Sequence, residues 1–460
     1  MMHFLRISYL CTLLSIFVIH QIYATNVTFN PQPIHITVAD LPQPYATSSV
    51  AKGARVIPVP VDPQLYVPNG FVVKLYMSGL TNPRYLIYTP TNDILVSEPS
   101  ANRISCLIDN NNDGYPDERL TFANVSNGLN SPFGMAFVNG YFYVGNRDAT
   151  RRYVWTNGSR SISGTGEVVV TYPQNGHSTR TVVVSPTNDQ LLVSIGSASN
   201  VDVEALPRAS IQQAHLNGSN QTTYAHGLRN PVGLAFHPVT NDLYVTCQER
   251  DELGDDLVPD YFTRVQPNDF YGWPFSYLSP NLTDPRRRLA NGTSERPDLV
   301  VLTKTPDILF QAHSAVLDMR FYTGSQFPAR YRNGAFAALH GSWNRNSGTG
   351  YKLVFIPFHN ETHRPLGYYE DFVRGFLTNP SGPDTFGRPV GLLVLHDGSL
   401  LFTEDGVLHS DAVILRYAFE RDKIDFKPRL RAICEVNCVG TRLSCVWRLH
   451  GNCQTFLSML

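Results

Sequence analysis

Charge is scarce in this chain. Only 16% of its 460 residues are Asp, Glu, Lys or Arg, and 37 basic against 38 acidic residues leave a formal charge of −1. That balance gives no bulk attraction to nucleic acid or to an anionic membrane surface. Beyond the N-terminus there is no long apolar run, so no membrane span is expected in the mature chain. Long stretches with helical periodicity are missing too, which argues against a helical bundle. Cysteine is rare, seven in all, and none sits in a Cys-x-x-Cys-His haem-attachment motif. Turn formers and β formers are plentiful instead: 33 Gly, 32 Pro, 23 Tyr and 25 Phe, within a hydrophobic content of 42%. Such a composition describes a folded, β-rich chain rather than a disordered one.

The N-terminus has a basic residue, Arg6, then an apolar stretch over 9–22 and the small residue Ala24. This predicts a secretory signal peptide over 1–24, hence a secreted protein. Eight Asn-x-Ser/Thr sequons, at Asn26, Asn124, Asn157, Asn217, Asn220, Asn281, Asn291 and Asn360, agree with an extracellular glycoprotein. Cys434, Cys438, Cys445 and Cys453 crowd a basic tail over 419–460 to which no role is assigned. In an oxidising compartment they are expected to pair among themselves in one of three connectivities, since their spacing matches no standard zinc pattern. Cys106 and Cys247 either pair or stay as separate buried thiols.

Residues 25–69 are rich in proline and read as an extended leader. From there to about 418 one unit recurs: an apolar strand, a polar turn, a second apolar strand. Instances lie at 85–96, 133–144, 181–193, 232–245 and 390–402, with a looser one over 319–339. Their Asn-Asp, Asn-Gly or Asp-Gly turns tolerate positive backbone angles. The first four turns fall near 92, 139, 188 and 241, steps of 47, 49 and 53, a period that suits a four-stranded blade. The expected fold is all-β, a six-bladed β-propeller over 70–418, in preference to a large β-sandwich. Propellers bind ligands on the loops around the channel mouth.

His and Arg residues collect beside these hairpins, in Gly176-His-Ser-Thr-Arg180, His226-Gly-Leu-Arg-Asn-Pro231, His340-Gly-Ser-Trp-Asn-Arg345 and Gly387-Arg388, with an acidic tract over 249–256. Equivalent loops converge on one face of a ring, so imidazoles and guanidinium forks are expected to surround a pocket suited to a flat polyanion.

These tracts, with Tyr271-Gly-Trp-Pro274, His313-Ser-Ala315 and Phe321-Tyr-x-Gly324, resemble the soluble quinoprotein sugar dehydrogenases, and the sorbosone and pyranose dehydrogenase branch in particular. The resemblance spans about 70–418. It implies a propeller holding pyrroloquinoline quinone (PQQ) and a calcium ion (Ca2+), and oxidation of a sugar substrate by hydride transfer to the quinone. It gives His177, nine residues before Pro186, the role of general base. It places Arg229 and Asn230 on the quinone oxygens and Arg388 on its carboxylates. Calcium ligation falls on the carbonyls of Asp251 and Glu252, with Asp255 and Asp256 as nearby charge. Electrons pass to an external acceptor, a cytochrome or a quinone.

The chain departs from the glucose-oxidising branch. A family lysine has no counterpart, Val390 stands where a second arginine is expected, and Leu129 replaces a glutamine. His313, His340, Trp343 and Arg345 are the candidates to take over those contacts. The missing lysine favours a different reading, a catalytically inactive secreted propeller that binds a protein or glycan. The joint presence of His177, Arg229 and Asn230 favours the enzyme. A calcium-dependent lactonase lacks the several inward acids it needs. Residues 109–117, Asp-Asn-Asn-Asn-Asp-Gly-Tyr-Pro-Asp, resemble the first half of a calcium loop, but the twelfth position is Leu120 rather than Glu. An Asn/Gly-rich turn is the favoured reading there.

Overall fold

The computed structural model describes residues 24–406 and 412–420, and the backbone of two further strands, Cys434–Val439 and Arg442–Trp447, which form an antiparallel hairpin of their own. The expected signal peptide, apart from Ala24, lies outside the described residues, and so do the side chains of the tail cysteines. Cys106 and Cys247 are both free and buried.

Among the described residues, strands dominate. One helical turn, Pro297–Val300, and five short 3-10 turns are the exceptions. Apart from the short Leu377–Asn379 and Asp384–Thr385, the strands between 71 and 419 build six antiparallel sheets, five of them containing a meander of four consecutive strands. The first two strands are Leu86–Tyr88 and Ile94–Glu98 in sheet one, and Met135–Val138 and Tyr141–Gly145 in sheet two. Val182–Val184 and Gln190–Ile195 open sheet three, and Asn230–Phe236 and Leu243–Gln248 open sheet four. Val316–Phe321 and Ala335–Leu339 open sheet five, and Pro389–Val394 and Leu400–Glu404 open sheet six. The turns between these strands place Asn92, Asn139, Asn188 and Asn241 at φ of 72°, 49°, 58° and 59°, the left-handed region that asparagine tolerates.

First strands of successive sheets touch in order, and the sixth touches the first, so the sheets close a circuit. Hydrogen bonds between the two ends of the domain fasten the circuit. The outer strand of sheet six is Phe71–Leu80, from the start of the domain, paired with Ala412–Phe419 from its end. First strands approach so closely that the recurrent glycine of the repeat is required. A Cβ on Gly391 would lie 1.9 Å from the Arg84 carbonyl oxygen, and one on Gly134 2.5 Å from the Val182 nitrogen.

Second strands read as continuous apolar runs because both sheet faces are covered. Ile94 and Val96 pack with Leu401 and Ile414 of sheet six, while Leu95 between them packs with Met135 and Phe142 of sheet two. Alternation is present, but each face meets a neighbouring sheet instead of water.

The proline-rich segment is extended and also paired. Thr25–Phe29 runs parallel to Gln64–Pro68, Pro33–Ile34 adds a strand outside Tyr369–Val373, and Arg55–Val56 pairs with Asp384–Thr385. Between these points it crosses the loops that follow the second strands of sheets four and five. Asp255 and Gly254 donate to Thr47 and Ser49, and Lys52 donates to the Trp343 carbonyl at 2.6 Å.

Candidate functional site

Each second strand starts at its hairpin turn and ends at the opposite rim. Loops meeting at that second rim, around sheets three to five, enclose a cavity of about 170 Å³ lined by His177, Arg229, Asp251, His313 and Trp343, together with Gln248, Glu249 and Asp260. His177 and Arg229 lie just before first strands, and Asp251 just after a second strand, so the meander connectivity brings them together.

His177 Nδ1 lies 2.7 Å from the Ser197 carbonyl oxygen. A carbonyl only accepts, so Nδ1 carries the hydrogen and Nε2 keeps its lone pair. Burial, then the Arg229 charge, lowers the ring's pKa to about 4, so it is neutral at physiological pH.

Arg229 is 7% exposed. Its guanidinium donates to the Asn200 and Glu249 carbonyls at 3.2 and 2.9 Å and pairs with Asp251 at 3.4 Å, leaving further N–H bonds to spare. The other Asp251 oxygen meets His313 Nδ1 at 3.3 Å, while His313 Nε2 donates to the Gly254 carbonyl at 2.9 Å. Burial opposes charge on His313, but the hydrogen bonds to Asp251 and Gly254 outweigh it and raise the pKa. Both ring nitrogens face acceptors, a geometry that suits an imidazolium rather than a free base. Burial raises Glu249 to about 8 and also raises Asp260, so Glu249 is mainly the neutral acid at pH 7.

Asn230 stands behind the cavity. Its amide nitrogen donates to Gln248 at 2.9 Å, and its Oδ1 is buried without a partner. His340 and Arg388 form a second polar group. Asp405 accepts from His340 Nε2 and Asn82 and pairs with Arg84, at 2.7, 2.8 and 2.7 Å. Burial and the Arg388 charge lower His340 to about 4. Arg388 donates to the His340 carbonyl at 3.1 Å. It braces the backbone of the same loop that presents Trp343, 48% exposed, to the cavity. The expected single ring of His and Arg therefore divides in two, joined by the loop 340–346. The reason lies at the axis, where Phe133, Val232, Leu317 and Val390 pack with Leu129 in one apolar cluster. Val390 and Leu129 are core residues here.

The side chains of Asp251, Glu252, Asp255 and Asp256 do not converge on one point. The Asp251 carboxylate is held by Arg229 and His313, and its carbonyl accepts from Arg250 and Asn200 at 2.8 and 3.1 Å. Glu252 pairs with Arg286, Asp255 accepts from the Asn346 N–H, and Asp256 pairs with Arg345. Arg345 also donates to the Asp255 carbonyl. Among the described residues no group of three or more His, Cys, Asp or Glu side chains is arranged to hold a metal. These four side chains therefore form no calcium cradle of their own. Arg229, His313 and Trp343, at one cavity, fit a flat polyanion in donor chemistry.

Sequence reasoning passed over Asn200, Asp260 and Asp405, and gave Glu249 no role beyond its acidic tract. A usable signal exists. Glu98 and Glu404 end second strands and Glu249 follows one directly, so the first acidic residue at a second-strand end marks the rim in three repeats.

Comparison with known proteins follows this geometry. The TrAA12-like family profile matches residues 65–263 and 294–416, and a glucose/sorbosone dehydrogenase profile matches 194–343. A protein of Borreliella burgdorferi without assigned function is 29% identical over 357 residues, 74% of this chain and 88% of its own. The pyrroloquinoline quinone-dependent pyranose dehydrogenase of Coprinopsis cinerea is 26% identical over 405 residues, 74% of this chain, which spans only 53% of that enzyme. In structure, the holo form of the C. cinerea pyranose dehydrogenase PQQ domain matches with a TM-score of 0.64 at 19% identity, over 80% of this chain and 100% of that one. With its all-β, propeller-like architecture and a profile match that reaches into every sheet, the chain belongs to the TrAA12-like family.

Proposed function

We propose that the protein is a secreted quinoprotein oxidoreductase, a six-bladed propeller that oxidises an aldose, pyranose or related sugar aldehyde. The observation that carries this reading is the His177–Ser197 contact. It leaves a neutral imidazole with a free Nε2 in the same cavity as the Arg229 guanidinium.

Pyrroloquinoline quinone, when bound, accepts two electrons as hydride. The chain supplies the rest. His177 Nε2 takes the proton of the sugar hydroxyl whose carbon is oxidised, which favours hydride departure. Arg229, braced by Asp251, holds positive charge beside the acceptor oxygens. His313 adds a second fixed cation, and the Trp343 indole offers a flat surface. The enclosed space is smaller than the ~300–1,000 Å³ typical of whole ligands, so these residues would hold only part of the cofactor. Electrons leave to an external acceptor.

The missing family lysine supports the second reading, an inactive propeller that binds a protein or glycan. One experiment separates the two. Purified protein is supplied with the quinone, with and without calcium, and assayed on an aldose panel with a dye acceptor. Sugar-dependent dye reduction that is lost in His177→Ala supports the enzyme. No quinone binding by folded protein, or activity unchanged in His177→Ala, overturns the proposed mechanism.

A further inference from the structure

A second cavity, of about 620 Å³, lies at the turn rim between sheets one and six. It meets the starts of Ile94–Glu98 and Leu400–Glu404, whose far ends reach the rim of the His177 cavity. The two rims are separated by a strand of five residues, roughly 17 Å. Its volume falls in the range of small-molecule sites.

The charged groups around it are already matched to one another. Asp93 takes both of its hydrogen bonds from Arg160, at 2.9 and 3.2 Å. Asp397 is met by Ser399 and Arg416, and Arg416 also donates to the Gly114 carbonyl at 2.8 Å. Asp109 accepts from the N–H groups of Asp113 and Gly114, and Asp113 from the N–H of Tyr115. Neither an unpaired guanidinium for an anion nor an open carboxylate set for a cation remains among the described residues.

What remains uncommitted is neutral. The Tyr76 hydroxyl lines the cavity without a hydrogen-bond partner among the described residues, although the residue is only 9% exposed. His396 faces Asn92 Oδ1 through Nε2 at 3.1 Å, so Nε2 donates and Nδ1 is left as an acceptor. The His396 ring stacks on Tyr88, 4.1 Å between centroids and 19° between planes. Neutral donors and acceptors beside a flat aromatic step match a ligand whose hydroxyls donate and accept and whose C–H face is apolar.

We propose that this cavity is a binding site for a neutral oligosaccharide of hexopyranose units, distinct from the His177 site. The site stands independently of the function proposed above. Titration of the full chain, without quinone or acceptor, uses cellotriose and maltotriose as probes, with a sulfated trisaccharide for comparison. At least one neutral probe is expected to bind saturably. His396→Ala and Tyr76→Phe, each with an unchanged melting temperature, are expected to weaken it about tenfold or more, and His177→Ala to leave it unchanged. The proposal is overturned if neither neutral probe saturates at millimolar concentration, if the sulfated sugar binds more tightly, or if His177→Ala abolishes binding while His396→Ala does not. Should His396→Ala lower the melting temperature, perturbation of the His396 ring resonances by the sugar replaces it as the readout, and their absence has the same overturning force.

Discussion

His177 Nδ1 and the Ser197 carbonyl oxygen, 2.7 Å apart, decide which ring nitrogen is basic. Because burial and Arg229 lower the pKa to about 4, the acid limb of kcat/KM for sugar oxidation is expected near 4 rather than 6.5. Stability follows the same ring. Between those values the unfolded chain binds a proton that the folded chain does not, so stability falls as pH drops through the window. His177→Gln removes that component. Denaturant unfolding of both proteins at pH 7 and about pH 5 is expected to show a smaller acid loss in the variant. An acid limb near 6.5 would mean the imidazole is more solvated than this geometry allows.

Asp251 links the Arg229 guanidinium to the His313 imidazole. Asp251→Asn leaves two buried cations without their counter-ion and is expected to cost about 3 kcal/mol. It also reverses the forces on His313. In the native protein the raised pKa contributes stability that is complete below the unfolded value and lost as pH rises through the folded one. In the variant, burial acts with less opposition and the pKa falls. NMR titration of the His313 ring reads this directly, and an unmoved midpoint would show that the Gly254 carbonyl alone holds the proton.

Much of the fold was legible in the sequence because its signals are local. A turn at Asn92 or Asn241 needs only its own residues to tolerate a positive φ. The alternation of Leu95 against Ile94 and Val96 was less legible, since an apolar neighbour on each face hides the period. The site was legible in part. His177 and Arg229 stand in recognisable tracts. The resemblance puts calcium on the Asp251 carbonyl, and that spacing gives no sign of where the partners of the Asp251 carboxylate lie. Those partners, Arg229 and His313, are 22 and 62 residues away. Arg388 reads as a ligand contact from its tract, yet the apolar packing of Val390 at the axis sets it apart from the His177 cavity.

Arg250 and Asp284 form a buried pair at 2.9 and 2.7 Å, with side-chain exposures of 1% and 2%. Arg250→Met leaves an uncompensated carboxylate and is expected to cost about 3–5 kcal/mol in denaturant unfolding. Replacing both, Arg250→Met with Asp284→Leu, is expected to cost clearly less, since the desolvation of both charges disappears with the pair. The single variant also frees the Asp251 carbonyl from Arg250 Nε, so it should weaken quinone binding more than a distant change of equal stability. A double variant no better than the single would show that the two changes act independently.

Gly391 tests the closed circuit itself. Its N–H donates to Thr403 Oγ1 at 2.8 Å, and Thr403 donates to the Arg84 carbonyl at 2.8 Å, so one hydroxyl fastens sheet six to the segment entering sheet one. An alanine Cβ here would fall 1.9 Å from that carbonyl oxygen, and the backbone of either sheet must move. The expected cost is at least the ~1–3 kcal/mol of an overpacked core, read as a lower denaturant midpoint. Gly53 is the control, with nothing within 4 Å of an added Cβ. Gly53→Ala is expected to leave stability unchanged or raise it by up to ~1 kcal/mol through the unfolded state. If Gly391→Ala were as stable as Gly53→Ala, the first strands would not be packed against one another around the axis.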